Sequence, residues 1–290
     1  MKFPKIMISA GVLACVTAAT VSATLAADGK CLDQIRARGA LVAGVGNVGQ
    51  KPLVWQDANG QFQGYEWEVL KYIGSELGVP KVSYQVTEWP TLVPGLQASR
   101  WDIIMSAMII TQERAQGGDF KFSNPYFLFY DNFMVLKNSL VQSPADLKGK
   151  KVGTVLGTMD SLNAHQLEAK GDIGQAVDFN TYGDPFVALR NGQVDAVLLD
   201  QASFYGQQQE MNDLRVIGSP LPFQPNQKWA DVEAKQDYVL GSTGIGVRKE
   251  CGDLLAAINA AVDKLNSSGT RQALEEKFGL WGPTQVKLTK

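Results

Sequence analysis

Arg114 and Asp200 are the side chains best placed to recognise a small solute. Arg114 follows the apolar run Ile103 to Met108 after a short polar segment, Thr111-Gln112-Glu113, and Asp200 follows the apolar run Ala196 to Leu199. Ligands of open α/β sheets bind outside the carboxyl ends of strands, which is where Arg114, Ser106 and Asp200 would project. A guanidinium fork suits a carboxylate and an Asp suits an ammonium, so the two together specify a zwitterion. Catalytic chemistry has less support. His165 is the only histidine and stands beside Gln166 and Glu168 in a polar helical stretch, the pattern of a solvated face. It has no second imidazole with which to build a metal or acid–base set, so no metal and no cofactor is expected. Glu66 and Glu68 read as charges in the first turn of a helix. Gly44-Val-Gly46-Asn-Val-Gly49 matches a dinucleotide fingerprint after a strand. Gln50-Lys51-Pro52 then breaks any helix that would hold a pyrophosphate. The glycines read instead as places where backbone approaches a ligand.

These residues need a scaffold, and the pattern supplies one. Leu41 to Val45 reads as a strand, and Asp57-Ala58-Asn59-Gly60 reads as a turn. Val69, Leu70, Ile73 and Leu77 fall at helical spacing, with Gly78 and Pro80 ending the helix. Val82, Tyr84 and Val86 alternate as a strand, Pro90 opens a short helix, and Ile103 to Met108 forms the next apolar run. This βαβ rhythm predicts an α/β fold. It recurs: Leu96-Gln-Ala-Ser-Arg-Trp-Asp102-Ile-Ile-Met is matched at equal spacing by Leu189-Arg-Asn-Gly-Gln-Val-Asp195-Ala-Val-Leu. Two α/β units of similar build follow. The aromatic stretch Tyr126 to Tyr130 and the segment Val239 to Thr243 are the expected crossings between them, and Leu254, Leu255, Ile258, Val262 and Leu265 form a late helical stripe.

The chain has 290 residues, enough for about two domains. It is 45% hydrophobic and 19% charged with a formal net charge of -2, which gives no footprint for nucleic acid or an anionic membrane. Met1 to Lys5 is basic, Ile6 to Leu25 is apolar and small, and Ala26-Ala27 precede Asp28-Gly29-Lys30. This is the pattern of a secretory signal peptide spanning residues 1–27 and removed on export. A membrane anchor is the rival reading, weakened by the Ala, Thr and Ser of the second half. A lipoprotein signal at Val12-Leu13-Ala14-Cys15 is another, weakened by the apolar tail beyond Cys15. Export leaves Cys31 and Cys251 in an oxidising compartment, as a bridge between the mature N-terminus and the last segment or as two separate buried thiols.

Trp89-Pro-Thr-Leu-Val-Pro-Gly-Leu96, Trp101-Asp-Ile-Ile-Met-Ser-Ala-Met-Ile-Ile-Thr111-Gln-Glu-Arg114 and Phe122-Ser-Asn-Pro-Tyr126 resemble the family 3 extracellular solute-binding proteins of amino-acid ABC transporters. So do Asp146 to Val152, Gly157-Thr158, Asp195-Ala-Val and Lys277-Phe-Gly279. The resemblance spans about residues 30 to 282. It implies the two-lobed periplasmic binding protein fold (type II), two α/β lobes joined by two crossover strands. Residues 28–130 and 239–290 would form lobe 1, and residues 131–238 lobe 2. It further implies a monomer that captures an amino-acid-like ligand by cleft closure and delivers it to the permease of an ABC transporter in the inner membrane. In that family the Arg matching Arg114 holds the α-carboxylate and the acid matching Asp200 holds the α-ammonium. Trp89 would stack on the ligand, unless it is a core tryptophan beside Pro90. Backbone groups around Ser106 and Ala107, and the helix N-terminus after Gly157-Thr158, would add hydrogen bonds.

Departures from the family pattern bear on the ligand. Ile109 stands where a Ser or Thr donor is common, Gly46-Asn47 replaces an acid found in many binders of cationic and polar amino acids, and Gly49-Gln50 replaces an aromatic. A basic amino acid is therefore expected to be disfavoured. An apolar, cyclic or modified one is favoured, against a wall made less polar by Val155 and Leu156. Two other classes share the scaffold: a periplasmic enzyme resembling the cyclohexadienyl dehydratases, for which no well-placed general acid is visible, and a sensor input domain, for which no membrane span or signalling module follows before Lys290.

Overall fold

The computed structural model describes residues 30–46, 48, 50–118 and 120–288. The signal-peptide reading at residues 1–27 and the candidate Asn47 therefore lie outside the described residues.

Helix α1 (Cys31–Arg38) stops at Gly39, which takes the left-handed φ of 72° that ends a helix cleanly. Strand β1 (Leu41–Val45) follows, then a hairpin of β2 (Trp55–Gln56) and β3 (Phe62–Gln63). Asp57 closes its turn by accepting the N–H groups of Asn59 and Gln61. Helix α2 (Tyr65–Glu76) buries Val69, Leu70 and Ile73 as its spacing predicts, and β4 (Val82–Val86) and α3 (Leu92–Gln97) come next. Strand β5 covers only Ile103–Ile104, so the run to Met108 is mostly not strand. Apolar continuity marks burial but not pairing. Beyond Ile104 the chain turns away from the sheet, with Ala107 at a φ of 49°. Helix α4 (Gln112–Gly117) and β6 (Phe120–Phe122) complete the first stretch of lobe 1.

The chain crosses at β7 (Phe127–Leu128) into β8 (Asp131–Leu136). Lobe 2 then alternates β9 (Lys151–Val155), α5 (Met159–Lys170), β10 (Gln175–Phe179), α6 (Asp184–Arg190), β11 (Ala196–Asp200), α7 (Gln201–Glu210) and β12 (Leu214–Leu221). After α8 (Ala230–Glu233) it returns through β13 (Ser242–Thr243), paired antiparallel with β7, into β14 (Gly246–Arg248), α9 (Gly252–Ser267) and α10 (Thr270–Lys277). The sheets are built alike, in the orders β4-β1-β5-β14-β6 and β10-β9-β11-β8-β12. In each, the first three strands are parallel and the strand arriving from the crossing is antiparallel. This is the expected two-lobed α/β architecture.

The sequence repeat has a physical reason. Asp102 donates its N–H to the Val42 carbonyl at 2.9 Å, and its carboxylate accepts the Val42 N–H at 2.9 Å. Asp195 makes the same pair with Lys151, at 2.8 and 2.9 Å. Each Asp thus gives a partner to an N–H at the start of its lobe's parallel ladder that the strands themselves leave over. The glycine fingerprint is also structural. A Cβ on Gly44 would sit 2.6 Å from the Trp101 indole, and one on Gly46 would sit 3.1 Å from the Trp89 Cα. These glycines admit tryptophan segments of lobe 1 where a ligand was expected.

Cys31 and Cys251 form a disulfide, with Cα atoms 5.4 Å apart. It fastens the start of α1 to the start of α9 inside lobe 1, where the Leu32 N–H also donates to Asp253 at 2.9 Å.

Candidate ligand cleft between the lobes

The carboxyl ends of the parallel strands of both sheets face one another across a narrow cleft. Gln50, Trp89, Ala107, Ile109 and Arg114 line it from lobe 1, Thr158, Met159, Asp160, Tyr182 and Asp200 from lobe 2, with Phe129 and Phe223 at the edge.

Arg114 is positioned by its own helix start. Thr111 caps α4 and its Oγ1 accepts the Arg114 N–H at 3.1 Å. The guanidinium then folds back, Nη1 donating to the Ile109 carbonyl at 2.9 Å, and lies 5.7 Å from the Trp89 ring centroid. Threonine and arginine three residues apart are therefore one device, a cap that aims a cation. Burial holds the pKa of Arg114 below its ordinary value, and no carboxylate among the described residues lies within ion-pair distance of it. The charge is presented to the cleft unneutralised.

Asp200 ends β11 and caps α7. Its Oδ1 accepts the Ser203 N–H at 2.9 Å, while Oδ2 accepts the Ser203 hydroxyl and the Gln50 amide, each at 3.0 Å. Gln50 belongs to lobe 1, so its amide is a polar latch across the cleft onto the residue expected to hold an ammonium. Two further contacts accompany it: Lys51 Nζ lies 3.2 Å from Glu210, and the Lys51 carbonyl lies so near Gly206 that a Cβ there would come within 2.3 Å. The lobes are in contact on this side of the cleft. Burial, then the charge of Asp160, pushes the Asp200 carboxyl up to about 7.

The remaining candidates divide. Ala107 and Ile109 line the cleft, but the Ala107 N–H donates to Glu66 at 2.9 Å and is not offered to a solute. Ser106 is fully buried and its Oγ accepts the Gly46 N–H at 3.0 Å, fixing the end of β1. Neither Ser106 nor Gly46 lines the cleft. Gly157 shapes the turn before α5, with a φ of 78°, and Thr158 lines the cleft while its Oγ1 caps the helix by accepting the Ser161 N–H at 3.2 Å. The Met159 and Asp160 N–H groups, in the first turn, have no intrahelical acceptor. His165 stays on the outer side of α5, 2.8 Å from Asp178 and 3.1 Å from Glu168.

Several residues escaped the sequence reading. Glu66 is not a solvated first-turn charge; it is fully buried, accepts the Tyr126 hydroxyl at 2.8 Å and pins Ala107 in its left-handed conformation, which costs an alanine roughly 1–2 kcal/mol. Glu68 does behave as a surface charge, pairing with Lys71 and Lys277. Asp160 lies two residues beyond Thr158 and was readable as a helix-start acid. Tyr182 and Phe223 sit in connections without periodicity, so no pattern marks them.

These buried acids give the fold a pH signature. Burial pushes Glu66 and Glu275, like Asp200, up to about 7, and the hydrogen bond to Asp178 raises the His165 pKa. Each of these groups holds its proton to higher pH in the native state than in the unfolded chain, so stability is lost as pH rises from about 4 to 7 through the acids, and above about 6.5 through His165. Melting followed by circular dichroism should give a higher Tm at pH 5 than at pH 8. An equal or higher Tm at pH 8 would refute the assignment.

The pattern of the bacterial extracellular solute-binding proteins, family 3, matches residues 43–280. The L-cystine-binding protein TcyJ of Escherichia coli strain K12 is 31% identical over 274 residues, covering 92% of this chain and 93% of that protein. The ABC transporter glutamine-binding protein GlnH of Bacillus subtilis strain 168 is 29% identical, covering 76% of this chain and 74% of that protein. Among solved structures, a P235GK mutant of the arginine-binding protein ArgBP from T. maritima superposes with a TM-score of 0.69 at 30% identity, covering 86% of this chain and 99% of the other. With that match running through both lobes and the cleft between them, the chain belongs to the bacterial extracellular solute-binding proteins, family 3.

Proposed function

We propose that this protein is the periplasmic capture component of an ABC importer, exported by a cleaved signal peptide, and that it binds an amino acid or amino-acid-like zwitterion as a monomer. The observation that carries the reading is the opposition of one unneutralised guanidinium, Arg114, to the Asp200 carboxylate across the cleft. A solute carboxylate docks on Arg114 and the first-turn N–H groups of α5, where the positive helix end adds to the attraction. Its ammonium reaches Asp200, restoring that group's charge and joining or displacing the Gln50 amide. Trp89, Phe129 and Phe223 supply apolar walls. The lobe limits that accompany this reading are residues 28–130 with 239–290 against 131–238, supported by the paired crossings β7 and β13. The relatives' roles, binding amino acids and serving ABC transporters, support the same reading, and no chemical step on the solute is invoked.

A thermal-shift screen over the standard amino acids, opines, betaines and cyclic imino acids tests it. A ligand at about 100 times its dissociation constant stabilises the native state by about 2.7 kcal/mol, a clear rise in Tm. Absence of any hit among zwitterions would remove the reading, and product formation during prolonged incubation would move the protein to the enzyme class.

A further inference from the structure

The charges of the cleft do not balance around a simple zwitterion. An α-amino acid head group occupies Arg114 and Asp200, and leaves Asp160. This residue lines the cleft, is 4% exposed, and its Oδ1 is buried with no N–H or O–H partner. Behind it stands Asp131, 0% exposed, with one oxygen accepting the Asn163 amide at 2.8 Å and the other likewise without a donor. Burial, then the neighbouring charge of Asp160, raises the Asp131 carboxyl well above the usual carboxylate range. The groups facing the pair are Asn163 from α5 itself, Asp200, which is register partner to Asp131 in the sheet, Tyr182, and Arg114 from the other lobe. Arg114 is the one cation among these. A first-turn acid that merely served the helix dipole would need neither this burial nor a second carboxyl behind it.

We propose that Asp160, backed by Asp131, selects solutes carrying a second cationic nitrogen, so that the ligand is an amino acid whose far end is an amine or a guanidinium. This rests on the zwitterion reading and adds its side chain. The second nitrogen lies against Asp160, and its charge displaces the proton held by Asp131, which leaves to solvent, so that two acids come to face one organic cation. The methylene stem of such a solute runs along Trp89 and Phe223. The expectation that Gly46-Asn47 disfavours a basic amino acid is thereby reversed, because the acid missing from the end of β1 is supplied by α5 of the other lobe.

Isothermal titration with two probe pairs, L-lysine against L-norleucine and L-arginine against L-citrulline, tests this. The charged member of at least one pair should bind at least tenfold tighter. Asp160→Asn should shrink that preference below about threefold, and Asp131→Asn should do the same from behind. Repeating the titrations in buffers of different ionisation enthalpy should show more proton release with the charged probe than with the neutral one, whose ammonium displaces a proton from Asp200 alone. Neutral members binding as tightly as charged ones in the unmodified protein would overturn the proposal, as would a preference that survives Asp160→Asn. Tight binding of neutral amino acids alone would sink this proposal and leave the zwitterion reading standing, whereas no binding of any α-amino acid would sink both.

Discussion

Replacing Arg114 by Ala should weaken binding of the solute at least about a hundredfold, and Asp200→Ala should do the same. Breaking a desolvated charged pair by removing one partner costs roughly 3–5 kcal/mol, and each 1.4 kcal/mol is tenfold in affinity. The two variants differ in their side effects. Among the described residues the Arg114 guanidinium donates to the Ile109 carbonyl alone and overlies Trp89, so its removal should leave the unliganded fold nearly as stable as before. Asp200 also caps α7 and holds the Gln50 amide, so Asp200→Ala should lower stability by a further 1 kcal/mol or so. Asp200→Asn separates the roles, since an asparagine caps a helix as well as an aspartate does but carries no charge for an ammonium. It should keep the Tm and lose the affinity. Titration calorimetry on all three variants is decisive: unchanged affinity in both alanine variants would show that the cleft does not read the head group.

Removing the disulfide should produce the largest loss of stability. The bridge closes a loop of 220 residues, and for a loop of that length the entropy it removes from the unfolded chain corresponds to about 5 kcal/mol. For a chain of this size that is a fall in Tm on the order of 10–20 °C. The double variant Cys31→Ser/Cys251→Ser should show it in a calorimetric scan, as should the native protein under a strong reductant. Affinity for the solute should change little, because both cysteines lie in lobe 1 away from the residues that line the cleft. A Tm within about 2 °C of the native value would mean that the unfolded chain gains little from release of the loop.

The parts of this molecule that sequence reveals are those governed by periodicity and end signals. The strand at Leu41–Val45, the buried stripe of α2 and the doubled Leu-to-Asp phrase are local devices, and each is where its spacing puts it. Arg114 and Asp200 could be paired from sequence because each follows a strand end, and strand ends of parallel sheets converge. Asp160 and Glu66 could not. Both are acids in the first turn of a helix, where an exposed charge beside the dipole is the ordinary outcome. What distinguishes them is what the rest of the fold brings against them: Tyr126 and the Ala107 N–H onto Glu66, Asp131 onto Asp160. The stretch 105–110 was misread for a related reason. Its apolar residues are buried as in a strand, yet beyond the Met105 N–H, which still bonds to Gly44, its backbone is held in part by side chains such as Glu66 and by the returning segment at Ser242.

The Cys31–Cys251 bond has a topological consequence as well as an energetic one. Lobe 2 enters and leaves through the paired crossings, so the whole of it is an insertion within the covalent ring that this bond closes. A protease that clips one exposed connection in lobe 2 opens the ring without dividing the molecule: both pieces stay linked until the bond is reduced. A nicked molecule of this design keeps its two pieces at one another's side, and reduction alone releases them.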